Sequence, residues 1–423
     1  MNEDFLHFVW KYQKFPSKNL ITNQGEKCTV LRVGQHNHHD GPDFLDSAIS
    51  IGSLLWLGNV EIHAKSSDWY RHQHQNDSNY TNVVLHVAWE DDVEVCVDSG
   101  VSLPTLELSK MVEPFLIEEY KRYFNKRNPF IACETHFSSV PSSIRMMWKE
   151  RLYVSRLEEK LASILELLRQ TKNDWEGVMF ILIARNLGLN VNGGAFFEMA
   201  KSIPFSVIRK IQHDGLNLEA LLFGQARLIN ADMNEYYGQG LWKRYLFLKH
   251  KFSLPDPPKL KWCFSRLRPM NFPTIRLAQL VKIYSQSTSL FSSLITPKGL
   301  FTDRLEECGV SSFWETHFTF NKVYKKQKKS LSNELIDLIK INTLIPLFFC
   351  FEKAQGRDPS VKIFEWIRSI KPEKNAITKG FSSIGGKCSN ALDSQAYIQL
   401  KNKFCSQKKC LLCAVGIHLL KQS

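Results

Sequence analysis

Apolar and polar residues alternate through residues 43–65, DFLDSAISIGSLLWLGNVEIHAK. Successive side chains of a strand point to opposite faces. The pattern therefore predicts a strand from Asp43 to Ile51, a turn at Gly52-Ser53 and a return strand from Leu54 to Lys65. On the return strand Glu61, His63 and Lys65 share one face, while Val60, Ile62 and Ala64 share the other. Before the hairpin, Phe5, Phe8, Val9 and Tyr12 recur at helical spacing and Pro16 follows, which predicts a helix over 4–12. CTVLRV at 28–33 predicts another strand. After the hairpin, Ser66-Ser67-Asp68 marks a helix start, and VVLHVAW at 83–89 is a strong strand. Weaker strands are predicted at 93–97 and 105–108. The order helix, strand, strand, strand, helix, strand describes an α/β sandwich with helices covering a mixed sheet.

Near Glu113 the periodicity turns helical. Asn128-Pro129 and the SSVPSS stretch at 138–143 mark a linker. Beyond it the pattern predicts helices at 144–170, 174–186, 193–201, 216–229, 238–250, 273–286, 331–352, 360–368 and 391–403. The expected class is α+β: an α/β domain over 1–128, then a larger, mostly helical domain over 129–423.

A chain of 423 residues is long enough for two or more domains. No apolar run reaches membrane-spanning length, and the acidic start at Glu3-Asp4 is unlike a secretory signal. The ten cysteines are scattered, so reduced thiols in a cytoplasm are expected. Charge is unevenly placed. Residues 1–110 hold 8 Lys and Arg against 15 Asp and Glu, and the remainder holds 47 against 27. Eight of the 13 histidines also fall in the first 110 residues. An acidic, His-rich domain joined to a basic one suits a metal site served by a polyanion-holding surface. A basic face that pairs internally with the acidic domain is the alternative.

The hairpin carries the leading candidate chemistry. Asp43 and Glu61 on adjacent strands can hold Mg²⁺ or Mn²⁺, and His63 or Lys65 can act as the cationic partner at a phosphate. A half-exposed strand with polar residues on its wet face would show the same alternation. The next stretch is dense in Asp68, His72, His74, Asp77, Tyr80 and His86. These residues can orient the carboxylates or contact substrate. His72 and His74, with His63 or His86 and with Asp77 nearby, can instead hold zinc for a hydrolase. At the carboxyl end Cys405, Cys410 and Cys413 are closely spaced, with Cys388 or His418 as a fourth ligand. Zinc or an iron–sulfur cluster suits such a set, and unliganded buried thiols are the alternative. Arg266, Arg268 and Arg276, in WCFSRLRPMNFPTIR, are candidates for nucleic-acid phosphates. No P-loop, dinucleotide fingerprint, HExxH motif or Gly-x-Ser-x-Gly elbow is present.

The element order, with Pro42-Asp43 opening one strand and Glu61 with a basic residue on the next, resembles the restriction-endonuclease-like PD-(D/E)xK nucleases over roughly the first quarter of the chain. That resemblance implies phosphodiester hydrolysis with Asp43 and Glu61 as metal ligands and Glu3 of the first helix as an extra ligand. His63 stands where the pattern has lysine, and Lys65 comes two residues later. The implied function is a metal-dependent nuclease or phosphodiesterase acting on DNA or RNA. A catalytically silent nucleic-acid-binding protein is the second reading. Longer runs, GPDF, GNVEIHAKSSDW, NVVLHV, RLRPMNFP and the C-terminal C-x4-C-x2-CAVG, resemble an uncharacterised bacterial domain-of-unknown-function family, numbered 2851, across nearly the whole chain. That likeness implies no activity and assigns no roles.

Overall fold

The alternating hairpin forms where the pattern places it. In the computed structural model, which describes residues 3–16, 20–37, 40–97, 100–124, 130–286, 289–296, 299–300 and 303–421, Gly52 takes a positive φ of 60° at the turn. The flanking strands are β4 (Phe44–Ile51) and β5 (Leu54–Lys65). Around them lie β1 (Leu20–Ile21), β2 (Lys27–Arg32), β3 (Gln35–His36), β6 (Val83–Glu90) and β7 (Thr105–Glu107). The seven strands form one sheet in the order β1-β2-β4-β5-β6-β7, with β3 paired to β4. β1, β2, β4 and β5 run antiparallel to their neighbours, whereas β5, β6 and β7 are parallel. The sheet is mixed, as expected. The weaker strand at 93–97 is reduced to a single bridge between Cys96 and Ser102.

Leu54 to Leu57 of β5 are exposed, but both faces of the strand are covered from Val60 to His63. Val60 and Ile62 pack with Leu85 and Val87 of β6, and with Phe5, Leu6, Phe8 and Val9 of helix α1 (Glu3–Lys11). The opposite face holds Glu61 and His63, which are also buried. Residues 66–80 lie over it, including the short helix α2 (Asp68–Arg71), with Trp69 and Tyr80 buried. The wet-face alternative for Glu61 and His63 is thereby removed.

Two irregularities re-aim the strand ends. The β4–β5 register shifts between Phe44 and Ser47, where Asp46 has a φ of 57°. The β5–β6 register shifts between Asn59 and Val60. A Cβ on neighbouring Gly58 would lie 2.6 Å from the Asn82 carbonyl oxygen, so glycine permits this close approach. Bulges of this kind turn side chains at the rim of a sheet.

The chain forms two compact units, Met1–Trp148 with Ser383–Gly386 and Leu400–Ser423, and Lys149–Ser382 with Lys387–Gln399. The predicted boundary at 128/129 lies outside the described residues, and the first unit continues to Trp148. The predicted placement of the C-terminal cysteines in the helical domain needs correction. Leu411 and Leu420 join the α1–sheet core, each burial worth roughly 1.5–3 kcal/mol. The final helix, Ala414–Lys421, thus belongs with the sheet.

The second unit is built from helices around one apolar core that includes Phe180, Phe223, Leu280 and Trp314. Asp174, Asp214, Glu235 and Ser332 cap helices by accepting from backbone N–H groups. Where one helix was predicted over 331–352, a π turn at Lys340–Leu344 separates Asn333–Ile339 from Ile345–Ala354. Among the described residues, no helix is long and apolar enough to cross a membrane.

Candidate metal centre

Asp43 precedes β4, and Glu61 sits opposite it on β5. Each carboxylate accepts a backbone N–H beside the other. Asp43 N–H donates to Glu61 Oε2 at 3.0 Å, and Ile62 N–H donates to Asp43 Oδ2 at 3.0 Å. The two acids therefore meet, as the hairpin predicts. Burial, and then the Asp43 charge, push the Glu61 carboxyl up to about 9. Glu3 of α1 belongs to the same field, its pKa raised by burial and then by Asp43. One helical turn later, His7 Nε2 lies 3.0 Å from Asp43 Oδ2. Burial opposes a charge on His7, but the bond to Asp43 and its charge outweigh burial and raise the pKa. His7 was missed from the sequence. The available signal was the Glu3/His7 spacing, which places both on one helix face.

The other Glu61 oxygen faces imidazoles. Oε1 lies 3.5 Å from His63 Nε2 and 3.4 Å from His74 Nε2. One nitrogen each from His63, His72 and His74 lie within 4.8 Å of one another, a spacing suited to a shared ion. His63 is buried, His74 half-buried and His72 exposed, so the group opens to solvent on one side. Tyr80 stacks on His74 with ring centroids 3.8 Å apart. Asp77 is not the carboxylate at this triad's centre. It accepts the Asn79 N–H at 2.9 Å and shapes the turn.

Behind His63 a chain of contacts runs into the sheet. His63 Nδ1 lies 3.0 Å from His86 Nε2, and His86 Nδ1 lies 3.4 Å from Thr105 Oγ1 on β7. His72 Nδ1 approaches His63 Nε2 at 3.3 Å from the solvent side. Burial, then His86, His74, His72 and Arg71, push His63 down to about 2, and burial pushes His86 down to about 3. Both rings are neutral at pH 7, as metal-binding imidazoles must be.

The candidate cations separate. Lys65 stands at the exposed end of β5 with its Nζ 3.3 Å from Glu90 Oε2. Arg71, which sequence reading passed over, reaches the centre: Nη2 lies 3.4 Å from His72 Nε2 and Nη1 lies 3.0 Å from Asp68 Oδ1. Asp68 also accepts the Lys65 N–H at 3.2 Å, fixing the start of α2.

The remaining candidates lie elsewhere. Cys405, Cys410 and Cys413 line one cavity, but the fourth cysteine there is Cys133 rather than Cys388, and His418 is not among the lining residues. Cys388 belongs to the second unit, where Asp393, Lys149 and Glu373 are its charged neighbours. Arg266 and Arg268 are exposed in the second unit. Arg276 is buried and donates to Gln279 Oε1 at 2.8 Å and Asn271 Oδ1 at 2.6 Å. It braces a buried helix and is not a phosphate contact on the surface.

The family model described as "Protein of unknown function (DUF2851)" matches residues 3–376. The chain belongs to this family. The DUF2851 match takes in Glu3, His7, Asp43, Glu61, the histidines and Cys133, and ends before Cys388 and the C-terminal cysteines. No curated protein and no solved structure matches the chain.

Proposed function

We propose that this chain is a metal-dependent phosphodiester hydrolase acting on nucleic acid, built on the PD-(D/E)xK nuclease plan. The observation that carries the reading is the meeting of Asp43 and Glu61 across β4–β5, each bonded to the backbone beside the other. Glu3 on α1, a mixed sheet and the strand order support the same plan. Asp43 and Glu61 would hold Mg²⁺ or Mn²⁺, with Glu3 completing the set. An ion held there would acidify a bound water and polarise a phosphoryl oxygen.

The cationic role departs from the usual pattern. His63 occupies the position of the usual lysine, but it is neutral at pH 7 and carries no charge to a phosphate. Lys65 is engaged with Glu90. Arg71, exposed and beside His72, is the group we assign to the developing phosphate charge. His7 holds the Asp43 carboxylate in place. Arg266 and Arg268 offer phosphate contacts on the second unit.

A second reading is favoured by the nitrogen spacing of His63, His72 and His74, with Glu61 beside two of them: a zinc-dependent hydrolase. One experiment separates the two. DNA and RNA substrates are incubated with Mg²⁺, Mn²⁺ or Zn²⁺, using wild type, Asp43→Ala and His72→Ala. The nuclease reading expects Mg²⁺- or Mn²⁺-dependent cleavage that Asp43→Ala abolishes and His72→Ala largely retains. Cleavage unchanged in Asp43→Ala excludes it. Zinc-dependent cleavage lost only in His72→Ala selects the second reading. Salt-sensitive binding without cleavage by any ion leaves a silent binder.

A further inference from the structure

Cys133, Cys405, Cys410 and Cys413 line one cavity within the first unit, and all four are free thiols. Local structure places them there. Cys405 ends a π turn, Lys401–Cys405, a geometry that recurs at functional sites. Lys408, at a φ of 54°, reverses the chain. Cys410 opens a short 3-10 turn, and Cys413 N–H bonds its carbonyl oxygen at 3.1 Å. A Cβ on Gly416 would lie 2.2 Å from that same oxygen, so only glycine lets the last helix begin so close. Cys133 comes from a separate bend, its carbonyl accepting His136 N–H at 3.0 Å.

The surroundings suit sulfur that carries charge. The N–H groups of Val415 and Gly416, in the first turn of the last helix, lie beside Cys413 sulfur and favour its thiolate. Donors of this kind stabilise a ligating thiolate. Lys401 favours the thiolate of Cys405, and Lys408 that of Cys410. Even so, burial first and the neighbouring cysteines next push Cys133, Cys405 and Cys410 up, Cys410 to about 12. A cationic centre among them relieves both penalties. Ala132 and Phe404 make the rest of the lining apolar.

Spacing selects the occupant. Tetrahedral zinc, with Zn–S of about 2.3 Å, needs sulfurs ~3.8 Å apart. Among the described residues, no three cysteine sulfurs lie within 4.8 Å of one another. Four thiols that line one apolar cavity, with no three of them that close, suit the larger span of an inorganic cluster. We propose that Cys133, Cys405, Cys410 and Cys413 ligate an iron–sulfur cluster that fastens the C-terminal segment to the sheet-bearing unit.

The test is iron, acid-labile sulfide and zinc analysis with a visible absorption spectrum, on the full chain purified without oxygen. The proposal expects iron and sulfide in equal amounts with broad visible absorption. Cys133→Ser should lower iron by at least about 10-fold, whereas Cys388→Ser should retain it. Stoichiometric zinc without sulfide overturns the proposal, as does wild-type iron content in Cys133→Ser. Should Cys133→Ser fail to fold, the wild-type chain decides. Stripped of metal and supplied without oxygen with ferric iron, sulfide and a thiol reductant, it must regain the absorption, and failure to do so overturns the proposal.

Discussion

The histidine–carboxylate centre and the four-cysteine cavity occupy the same compact unit but are assembled in opposite ways. The first takes Asp43, Glu61, His63, His72, His74 and His86 from consecutive elements of one sheet and its covering turns. The second joins Cys133 to Cys405, Cys410 and Cys413 across most of the chain. One is a product of strand register, the other of chain return. Register brings together groups that a period of two already places on one face. Chain return brings together groups that share no local pattern, and the apolar burial of Leu411 and Leu420 holds them there.

The sharpest way to break this comparison is a crossed pair of variants. Glu61→Gln should weaken divalent-ion binding and cleavage by on the order of 10²-fold or more, because it removes an acid facing both Asp43 and the imidazoles. It should leave iron content unchanged. Cys133→Ser should do the reverse, and isothermal titration beside iron analysis reads both. Loss of both properties in either variant would mean that the two sites form one cooperative element.

A smaller effect is expected one step behind the centre. On the zinc reading, His86→Ala removes the partner that sets the His63 ring, and should cost roughly 10–100-fold in zinc affinity, measured by competition with a chelating dye. Unchanged affinity would place His63 outside the ligand set.

Proton release sharpens the electrostatic side. In the metal-free chain, the raised Glu61 pKa contributes stability complete below its ordinary 4.5 and lost as pH rises through about 9. The depressed His63 and His86 values contribute stability present above 6.5 that is lost as pH falls through about 3 and about 2. An ion bound at pH 7 therefore displaces the Glu61 proton and finds the His63 ring already neutral. Titration in weak buffer should show roughly one proton released per ion at pH 7, vanishing above about pH 9. Release of two or more protons would mean that Glu3 or a histidine also gives up a proton to the ion.

The smallest effect is expected at Lys65. Its ion pair with Glu90 is exposed, so Lys65→Met should change stability by no more than ~1 kcal/mol in denaturant unfolding and leave turnover intact. Arg71→Met, by contrast, should slow turnover. Loss of activity in Lys65→Met would return the cationic role to the position two residues after His63.

Much of this unit was legible beforehand. Alternation from Asp43 to Lys65 gave the hairpin, and with it the approach of Asp43 to Glu61. The helix carrying Glu3 and the strand carrying His86 also follow from period alone. Burial of the Glu61 face was not legible, because it depends on Trp69 and Tyr80 folding back over the sheet. Arg276 misled for a related reason. Its neighbours are rich in proline and arginine, yet its helix is buried from Pro273 to Val281, and two of the guanidinium nitrogens donate to the amide oxygens of Gln279 and Asn271. Cys388 looked like the fourth sulfur only because it is near in sequence. Spatial proximity belongs to Cys133, which no spacing rule connects to the carboxyl end.

The row of imidazoles behind Glu61 also has a direction. Each neutral ring carries a single hydrogen, so one choice fixes the rest. If Thr105 receives the His86 Nδ1 hydrogen, His86 Nε2 must receive that of His63, which leaves the lone pair of His63 Nε2 pointing outward. A hydroxyl on the edge strand thereby sets the polarity of a ring two strands away, and Thr105→Val would free that ring to turn its hydrogen toward the ion.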